Sequence, residues 1–569
     1  MKKILLDRKI FQNIVIFILL AGVILLPRLP RLGYYATADE HQYLKHSGSF
    51  YYLLTEKDFS HTDLIIHPGV LSLWSGAIGF FLKFPDFTEY TQYPLSDLLF
   101  FKITAGHETT LEQLLAQGRA VSLAFQVGLL LLSTFYLMRV FGRWPAILGI
   151  LFVAFDPFYF ANSRILQPDG ILSTCVFLSV TAYVSYRHSK RRGDIIVSGI
   201  AAGLSLLSKT TGIVLVLFVV LFETANWFYQ RRQAKPPKIS IKSSGANILM
   251  WGAAAIVIFV ALWPAMWVKP VEVISEMVQS TFALSGEVNS PVFFNGHINP
   301  EGEFGLSYWY FYLVTWLWRT TPLVVFGLIL GLIPLVWKQT RREQASWRSS
   351  ILALLSFVVI FFIVMSISKK KFDRYLLPAH TIIDLLAGLG WIGFLTWLRN
   401  WIPEKIKALI PTATVLVVAG QLWMTASVYP YYHSYYNPLL GGALKAQEVM
   451  MVGWGEGLDQ AARYLSKQPR ANKLVIYSWY ANTLKINYVY WSKFDTLPRG
   501  LPISGPISDE EFGEMLQADY IVTYICQWQR NSSGRILEYL ADKSIEHTVT
   551  INGIEYAYIY NMKAIQGSE

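Results

Sequence analysis

The 569-residue sequence contains few cysteines and few charged residues. Its two cysteines, Cys175 and Cys526, lie far apart, and the sequence has no CxxC motif and no cluster of Cys and His. These absences exclude a disulfide framework and argue against a structural zinc site built from cysteine. The sequence also has no internal repeat and no low-complexity tract.

Charged residues make up only 15% of the chain, whereas 53% of the residues are hydrophobic and 15% are aromatic. This composition lies well outside the average of soluble proteins and indicates a membrane protein. The formal net charge of +11 could indicate nucleic-acid binding, but Lys and Arg occur in short clusters between apolar runs. Such clusters are typical of the loops of a multi-pass membrane protein, so no nucleic-acid partner is predicted.

Eleven segments are apolar enough to cross a membrane, which takes about 20 residues each. The first follows a basic N-terminus like that of a signal peptide, but it lacks a small-residue cleavage site and is predicted to be retained as a helix. A further apolar stretch, residues 67–84, is interpreted as an interfacial or re-entrant helix. The predicted spans are residues 10–28, 119–139, 144–161, 170–187, 194–208, 210–229, 248–268, 309–336, 350–367, 375–397 and 406–428.

Basic residues assign the two sides of this predicted membrane domain. With the N-terminus inside, every alternate loop is basic, including YRHSKRRGD, YQRRQAKPPKISIKSS and WKQTRREQASWR, as the positive-inside rule requires. Residues 31–118 and 269–308 then become two outer loops. The chain after about residue 430 also lies on the outer, extracytoplasmic side.

After residue 430 the hydropathy pattern changes to that of a soluble α/β domain. GLDQAARYLSKQP and SGRILEYLAD predict helices, KLVIYSW and DYIVTYICQW predict strands, and HTVTINGIEYAYIYNM predicts two strands joined by an Asn-Gly turn. The predicted fold class is therefore a polytopic α-helical membrane protein with a C-terminal soluble α/β domain. The predicted boundaries are residues 1–429 for the membrane domain, with about 11 transmembrane helices, and residues 430–569 for the soluble domain.

The stretch ATADEHQYL places two adjacent carboxylates, Asp39 and Glu40, in the first outer loop. Cations also occur where predicted spans meet the outer face, at Arg164, at Lys209 and in the run SKKKFDRYLLP. Charges at membrane depth are costly, and their convergence on one cavity would suit an anionic ligand with a lipid tail. The alternative is that each cation snorkels to lipid headgroups and that the two acids form a solvated turn or a helix N-cap.

A carboxylate beside such a ligand could act as a general base. It would deprotonate an incoming hydroxyl acceptor, which requires hydrogen-bonding reach and a suitable pKa. Phosphate would then leave as an anion stabilised by the cations.

The ordered motifs ADE, HPG, NSRILQPDGIL, SKTTGI and KKKFDRYLLP resemble those of glycosyltransferases with the GT-C fold, in particular the group of protein O-mannosyltransferases and lipid A aminoarabinose transferases. The resemblance covers most of residues 1–400. It implies a polyprenyl phosphate monosaccharide as donor, Asp39 as catalytic base and Glu40 as the second member of the acidic pair. It also implies a set of donor-side residues, namely Arg164, Lys209, Lys371, Arg374 and Tyr375, with Asp169 as a further acidic residue of the site.

The sequence departs from that group at two points. His67, Pro68 and Gly69 stand where relatives often have a Pro-Pro pair, so His67 enters the candidate site within an altered loop. The loop 269–308 is too short for the beta-trefoil insertion of eukaryotic protein O-mannosyltransferases, which favours a prokaryotic member. The motifs YNPLLGG and VGWGEGLDQAARYL resemble a segment of prokaryotic members, and we interpret Asp459 within it as a helix N-terminal residue.

The predicted function is transfer of a monosaccharide from a polyprenyl phosphate carrier to an extracytoplasmic acceptor by direct displacement. The acceptor, a protein hydroxyl, a lipid or a glycan, stays open, and membrane lipids are the other expected partners. No cofactor is firmly predicted. His67 and His297 could join an acidic residue on a divalent metal, but two scattered histidines fall short of the three or four ligands of a typical metal site. The rival functions are a transporter or flippase of lipid-linked sugars and a non-catalytic lipid-binding protein.

Overall fold

The computed structural model describes residues 2–65, 67–106, 110–231, 241–286, 291–299, 305–336, 342–488, 499–501 and 507–567. Parts of two basic loops that the sequence assigns to the inner side, residues 232–240 and 337–341, lie outside the described residues. Helices dominate the chain up to residue 430, and a mixed sheet with helices follows.

The first part of the chain contains nineteen α-helices in its described residues. They are α1 (Lys2–Leu25), α2 (Glu40–Thr55), α3 (Val70–Lys83), α4 (Phe87–Tyr90), α5 (Asp97–Gly106), α6 (Leu111–Phe141), α7 (Arg143–Ala154), α8 (Pro157–Ser163), α9 (Pro168–Ser189), α10 (Arg192–Ser208), α11 (Val214–Arg231), α12 (Ile241–Leu262), α13 (Ala265–Val268), α14 (Pro270–Gly286), α15 (Phe311–Arg319), α16 (Pro322–Val336), α17 (Arg342–Ile367), α18 (Leu377–Arg399) and α19 (Leu409–Ala426).

Local sequence signals set the ends of the long helices. The side chain of Thr110 accepts a hydrogen bond from the backbone of Gln113, and the Gln113 side chain accepts one from the backbone of Thr110, so a capping box begins α6. The helix ends at Gly142, whose φ of 86° is a conformation that glycine adopts without strain. Pro168 occupies the first turn of α9, where its missing N–H leaves no helical hydrogen bond unmade.

Six helices in the described part of the chain are long and apolar enough to cross a membrane: Phe11–Arg28, Leu111–Phe141, Ser244–Leu262, Trp347–Ile367, Asp373–Arg399 and Glu404–Ala426. Two bent helix pairs raise the number to eight if each pair is one span. These apolar helices agree with an integral membrane protein, as predicted, but the predicted count of eleven is not confirmed.

Bends account for two of the five predicted spans that are absent from the six. The other three, 170–187, 194–208 and 210–229, correspond to α9, α10 and α11, which are not among the described helices long and apolar enough to cross a membrane. The predicted span 144–161 is two helices, α7 and α8, bent by 70°, and the predicted span 309–336 is broken after Arg319 by a bend of 115°. Pro157 and Pro322 begin the second helix of each pair, because proline lacks the N–H that would continue the first. A hydropathy average does not detect such breaks, because the residues on both sides of them are apolar. The apolar stretch from residue 67 forms the 14-residue helix α3, which is too short to cross a membrane of ordinary thickness.

Small residues allow close packing of the helices behind the site. A Cβ at Gly388 on α18 would lie 2.7 Å from the Cα of Gly149 on α7, and one at Gly390 would lie 2.0 Å from the carbonyl oxygen of Gly327 on α16. Side chains there would separate the backbones, as at the small-residue contacts common between membrane helices. These contacts hold α18 against two neighbours.

The last part of the described chain contains a five-stranded mixed sheet. A separate hairpin, β1 (Val292–Phe294) and β2 (His297–Asn299), precedes it in the chain. The sheet has the order β4-β3-β5-β7-β6, in which β3 pairs parallel with β4 and β5, and β7 pairs antiparallel with β5 and β6. Its strands are β3 (Ile476–Ser478), β4 (Arg499–Gly500), β5 (Tyr520–Tyr524), β6 (His547–Ile551) and β7 (Ile554–Asn561); the helices of this region are α20 (Gly442–Val449), α21 (Leu458–Leu465), α22 (Ala481–Asn487), α23 (Asp509–Leu516), α24 (Ile525–Arg530), α25 (Gly534–Leu540) and α26 (Met562–Gly567).

The predicted Asn-Gly turn joins β6 and β7, and both Asn552 and Gly553 have positive φ, of 51° and 83°. This is the backbone that a two-residue hairpin turn requires. The predicted strand DYIVTYICQW is only half correct, because the strand ends at Tyr524 and α24 begins at Ile525. The side chain of Gln527 accepts a hydrogen bond from the backbone N–H of Tyr524, which favours the change from strand to helix.

The C-terminal region packs directly on the loop before α2. The backbone N–H of Ala38 donates to the carbonyl of Trp454 at 2.8 Å, and Arg463 donates to the hydroxyl of Tyr34 at 2.8 Å. Gly455 adopts a φ of 122°, and a Cβ there would lie 2.6 Å from the carbonyl oxygen of Ala36. Glycine is therefore required at this contact for both reasons.

Candidate active site

Asp39 lies at the start of α2, where the chain leaves the ATADE loop. Its side chain is 46% exposed and makes no capping hydrogen bond to the helix, so the N-cap alternative does not account for it. The preceding residue is fixed by the Ala38–Trp454 hydrogen bond. Asp39 is thus an accessible carboxylate on a backbone that another part of the chain holds in place.

Arg374 faces two carboxylates. Its Nη2 lies 3.5 Å from Oδ2 of Asp39, and its Nε lies 3.6 Å from Oδ2 of Asp169. The guanidinium also packs on two aromatic rings, at 4.2 Å from the centroid of Trp454 and 4.4 Å from that of Phe372. Both ion pairs are longer than a charge-assisted hydrogen bond, which is about 2.7–2.9 Å. The rings fix the plane of Arg374 without occupying its N–H groups, so the guanidinium is positioned to bind a further anion.

Lys209 completes a row of alternating charge. Its Nζ lies 2.8 Å from Oδ1 of Asp169 and 4.0 Å from the ring centroid of Tyr375. Asp169 occupies the first turn of α9, and its side chain is buried. We call Asp39, Arg374, Asp169 and Lys209 the charged row.

The end of α10 places Lys209 in this row. The helix stops at Ser208, and the Ser208 carbonyl accepts a hydrogen bond from the backbone N–H of Gly69 at 3.1 Å. Gly69 has a φ of 58° and begins α3, so the HPG and SKTTGI motifs meet at this point.

His67 lies beside the charged row. Burial, followed by the positive charge of Lys209, lowers the pKa of His67 to about 4, so its imidazole is neutral at neutral pH. Its Nε2 lies 3.4 Å from the hydroxyl of Tyr43. His67 therefore adds a polar, uncharged group to the site and not another cation.

The structure brings six of the sequence-predicted site residues together. Direct contacts join five of them: Asp39, Asp169, Lys209, Arg374 and Tyr375. His67 is close enough for the charge of Lys209 to lower its pKa. Two cations that alternate with two carboxylates, one of them open to solvent, can bind an oxyanion beside a proton acceptor.

Glu40 is not an open partner of Asp39. It is fully buried, and its oxygens accept hydrogen bonds from the Nε of Arg119 at 2.7 Å, the backbone N–H of Thr37 at 2.8 Å and that of Leu166 at 2.6 Å. Arg119 Nη2 and the Thr37 hydroxyl also donate to it. Since Leu166 belongs to the NSRILQP motif, Glu40 ties the first loop to the start of α9 instead of facing solvent.

Arg164 and Lys371 make structural contacts. Arg164 is buried and donates to the carbonyl oxygens of Arg28 at 2.9 Å and Pro30 at 2.6 Å, which holds the turn after α1. The ammonium of Lys371 donates to the carbonyl oxygens of Ser366 and Ser368 at 2.5 and 2.6 Å, at the end of α17, where a cation satisfies free carbonyls. Burial lowers the pKa of Lys371 to about 8. The structure therefore places neither cation in the charged row.

Two contributors were missed by the sequence analysis. Trp454 lies in the VGWGEGLDQAARYL motif but was not predicted as a site residue; its ring covers Arg374, and its carbonyl accepts a hydrogen bond from the backbone N–H of Ala38. Arg119 lies at the edge of a predicted span, and the rule applied to the other cations would have selected it. Its partner was beyond inference, because Glu40 is 79 residues away.

Asp459 on α21 is a buried acid of the C-terminal region, where it accepts hydrogen bonds from the Tyr431 hydroxyl at 2.9 and 3.0 Å. Burial raises its pKa to about 6. The folded protein therefore binds this proton more tightly than the unfolded chain does. The stability from this group is fully present below about pH 4 and is lost as the pH rises to about 6.

We expect the thermal midpoint of Asp459→Asn, relative to the wild type, to rise between pH 4 and pH 6.5. The difference corresponds to roughly 3 kcal/mol for a shift of two pKa units. Thermal unfolding at several pH values measures it. Asp509→Asn, at a side chain that is 96% exposed, is the control and should give a difference that does not change with pH. The same flat response in Asp459→Asn would contradict the prediction.

The fold and the site together define a class. A bundle of apolar helices, with an accessible carboxylate and two cations at one end, agrees with an integral membrane protein that can bind an anion beside a proton acceptor. Residues 111–264 match the family model described as dolichyl-phosphate-mannose-protein mannosyltransferase. This match confirms the predicted resemblance to the O-mannosyltransferase group and the predicted enzyme class, a membrane glycosyltransferase.

Several solved structures are similar to the chain at low identity. ArnT from Cupriavidus metallidurans in the apo state has 14% identity and a TM-score of 0.49, covering 96% of this chain and 97% of that one. AglB, the oligosaccharyltransferase of Archaeoglobus fulgidus, solved with an inhibitory peptide and a dolichol-phosphate, has 13% identity and a TM-score of 0.45, covering 91% and 70%. The S. cerevisiae Pmt1-Pmt2 complex, bound to the sugar donor, has 14% identity and a TM-score of 0.35, covering 50% and 39%. No curated protein sequence matches the chain.

Proposed function

We propose that the protein transfers a monosaccharide from a polyprenyl phosphate carrier to a hydroxyl acceptor on the extracytoplasmic side of the membrane. The observation that supports this most directly is the charged row, in which the accessible carboxylate of Asp39 lies 3.5 Å from a guanidinium held on two rings. The match of residues 111–264 to a family named for dolichyl phosphate mannose agrees with a sugar carried on a polyprenyl phosphate.

Arg374 and Lys209 are the proposed phosphate ligands. Each already faces a carboxylate, and an incoming phosphate can compete for the N–H groups of Arg374 because its two ion pairs, at 3.5 and 3.6 Å, are long. Lys209 is closer to Asp169, at 2.8 Å. Asp169 would therefore hold Lys209 in place while Arg374 takes the charge of the leaving phosphate.

Asp39 is the proposed base. As phosphate draws the guanidinium away, Asp39 becomes free to accept the acceptor's proton while the acceptor oxygen attacks the anomeric carbon. The carbon–oxygen bond to the polyprenyl phosphate breaks in the same step, and the electron pair leaves with the phosphate. A single displacement of this kind inverts the anomeric configuration, and it involves no nucleotide sugar.

The other predicted residues take supporting roles in this proposal. Glu40 and Arg119 form the buried pair that fixes the first loop, Arg164 fixes the turn after α1, and Lys371 caps α17. Tyr375 positions Lys209 through its ring. His67, whose imidazole is neutral, contributes a polar group beside Tyr43.

We also propose that the chain is divided at about residue 430 into a membrane domain and an extracytoplasmic α/β domain. The support is that the loop around Trp454 packs on the ATADE loop, so this domain and the site must lie on the same side of the membrane. The basic loops of the sequence assign that side as the outer one.

The test measures donor binding and transfer with Arg374→Gln. We expect binding of a labelled polyprenyl phosphate to weaken, and transfer of labelled sugar to an envelope fraction to fall by about 10²- to 10³-fold, as when one donor to a developing oxyanion is removed. Arg535→Gln is a matched control, because Arg535 also pairs with an acid, at 2.7 Å from Asp509, and lies 4.2 Å over a ring, that of Phe512. It should bind and transfer like the wild type.

The outcomes separate the rival functions. Transfer that needs Arg374 and Asp39 supports the glycosyltransferase. Lipid binding without transfer from any polyprenyl phosphate sugar would favour a binding protein, and movement of the intact carrier across vesicles would favour a flippase. Unchanged lipid affinity in Arg374→Gln would contradict its assignment as phosphate ligand.

A further inference from the structure

Three ionisable side chains meet in the interior of the helical bundle, apart from the charged row. Asp156 precedes α8, and His380 and Asp384 lie four residues apart on one face of α18. All three are buried, at 0%, 1% and 0% exposure. The Nε2 of His380 lies 3.4 Å from Oδ2 of Asp156 and 3.7 Å from Oδ1 of Asp384.

Four polar atoms of this cluster are buried without a hydrogen-bond partner among the described residues. They are Oδ2 of Asp156, Nε2 of His380 and both carboxylate oxygens of Asp384. The other carboxylate oxygen of Asp156 accepts a hydrogen bond from the backbone N–H of Tyr159 at 2.8 Å. Buried polar atoms nearly always have hydrogen-bond partners. Burying two acids with one imidazole destabilises the folded protein unless their charge is compensated.

Arg319, which contacts the same phenylalanine ring as His380, does not supply that charge. Phe158 contacts both the His380 ring, at 5.7 Å between centroids, and the guanidinium of Arg319, at 5.0 Å. Arg319, however, pairs with Asp373 at 2.7 Å and donates to the carbonyl of His433 at 2.6 Å. Its charge is therefore committed elsewhere.

The spacing of the unpartnered atoms fits a metal ion. One ligand atom from each residue lies within 4.8 Å of the others. Ligands at about 2.0–2.2 Å from a tetrahedral ion are roughly 3.3–3.6 Å apart, close to the 3.4 and 3.7 Å measured from His380. Two carboxylates neutralise a divalent charge, and a carboxylate and imidazole set suits Zn²⁺ and related transition ions.

We propose that Asp156, His380 and Asp384 bind one divalent transition-metal ion. The ion would join the start of α8, just after the bend between α7 and α8, to the first turns of α18. Asp373 and Arg374 immediately precede α18. The ion would therefore help to fix the position of Arg374, a member of the charged row, without touching substrate. This inference does not depend on the proposed function. It also differs from the pair considered from the sequence, His67 and His297, since neither belongs to the cluster.

The test uses the full chain in detergent, stripped with a chelator and then incubated separately with Zn²⁺, Mn²⁺ or Co²⁺. After removal of free metal, we expect about one ion per chain for at least one of these metals. We also expect a thermal midpoint that rises with metal concentration, because the ion binds the folded state. His380→Gln and Asp384→Asn should each lose the bound ion and the metal-dependent rise. If a variant does not fold, the visible absorption of tetrahedral Co²⁺ in the wild type, and its displacement by Zn²⁺, test the site without a mutation.

His61→Gln is the control for metal bound at the surface. His61 pairs with Asp58 at 2.7 Å, and the two side chains are 54% and 39% exposed. This variant should keep the wild-type metal content. The proposal is overturned if the wild type retains none of the three metals, or if His380→Gln keeps the wild-type content. A third result would also overturn it: the thermal midpoint of the wild type does not change with metal, and the chelator-treated Asp384→Asn variant unfolds at a higher temperature than the wild type. The two acids would then share a proton instead of binding an ion.

Discussion

Replacing Asp39 with Asn is expected to lower sugar transfer by about 10²- to 10⁴-fold, the usual contribution of a general base. The amide keeps the shape of the side chain but accepts a proton far less readily, so the acceptor hydroxyl is no longer activated. Binding of the polyprenyl phosphate should persist, because Arg374 and Lys209 are unchanged and Arg374 loses an anionic competitor. Initial rates of transfer, measured beside donor affinity, separate the two effects.

Asp58→Asn is the matched control for this experiment. Asp58 lies in the same loop region, is 39% exposed against 46% for Asp39, and likewise pairs with a basic side chain, His61. Its replacement should leave transfer near the wild-type rate. Transfer by Asp39→Asn at the wild-type rate, with donor binding intact, would remove Asp39 from the role of base.

Replacing Glu40 with Gln is expected to destabilise the folded protein by about 3–5 kcal/mol, because the Arg119 guanidinium is then buried without a counter-charge. Both side chains are almost completely buried, at 0% and 4% exposure. The free energy of unfolding in detergent, from a denaturant titration, measures the loss. The exposed pair of Lys445 and Glu448, 61% and 59% exposed, is the control, and Glu448→Gln should cost no more than about 1 kcal/mol.

A double variant distinguishes a structural role of Glu40 from a chemical one. Glu40→Gln with Arg119→Met removes both charges and should recover much of the lost stability, since no unpaired charge stays buried. Transfer per folded molecule should recover with it. If stability returned while transfer stayed as low as in Asp39→Asn, Glu40 would belong to the chemistry and our assignment of it to loop positioning would be wrong.

Much of the site could be predicted because its residues break local rules. Lys209 and Arg374 are cations at the ends of apolar segments, and Asp39 follows the first of these segments, so each stood out without a structure. The same reasoning selected Arg164 and Lys371 with equal force, yet these cations donate to nearby backbone carbonyls. A charge at a helix end is costly whether a ligand or a carbonyl compensates it, and composition does not distinguish the two.

The helix count illustrates a second limit. Hydropathy averages over a window and therefore located the apolar segments, but it does not register a bend of 70° or 115° inside one of them. The bends matter for function. The first places Asp156 at the start of α8 opposite His380, and the second brings Arg319 to Asp373, next to Arg374.

The sequence by itself indicated the membrane class, the resemblance to a glycosyltransferase group, two helices and most of four strands in the C-terminal region, and the residues of the charged row. The membrane class and the C-terminal elements follow from composition, periodicity and local charge, which are properties of neighbouring residues. The glycosyltransferase group and the site roles of Asp39 and Asp169 came from the resemblance of the ordered motifs. Only the tertiary structure showed that Glu40 forms an ion pair with Arg119, that the ring of Trp454 packs on Arg374, and that Asp156 lies beside His380 and Asp384. Such partners lie tens to hundreds of residues apart, and chain folding alone brings them within reach of a hydrogen bond or an ion.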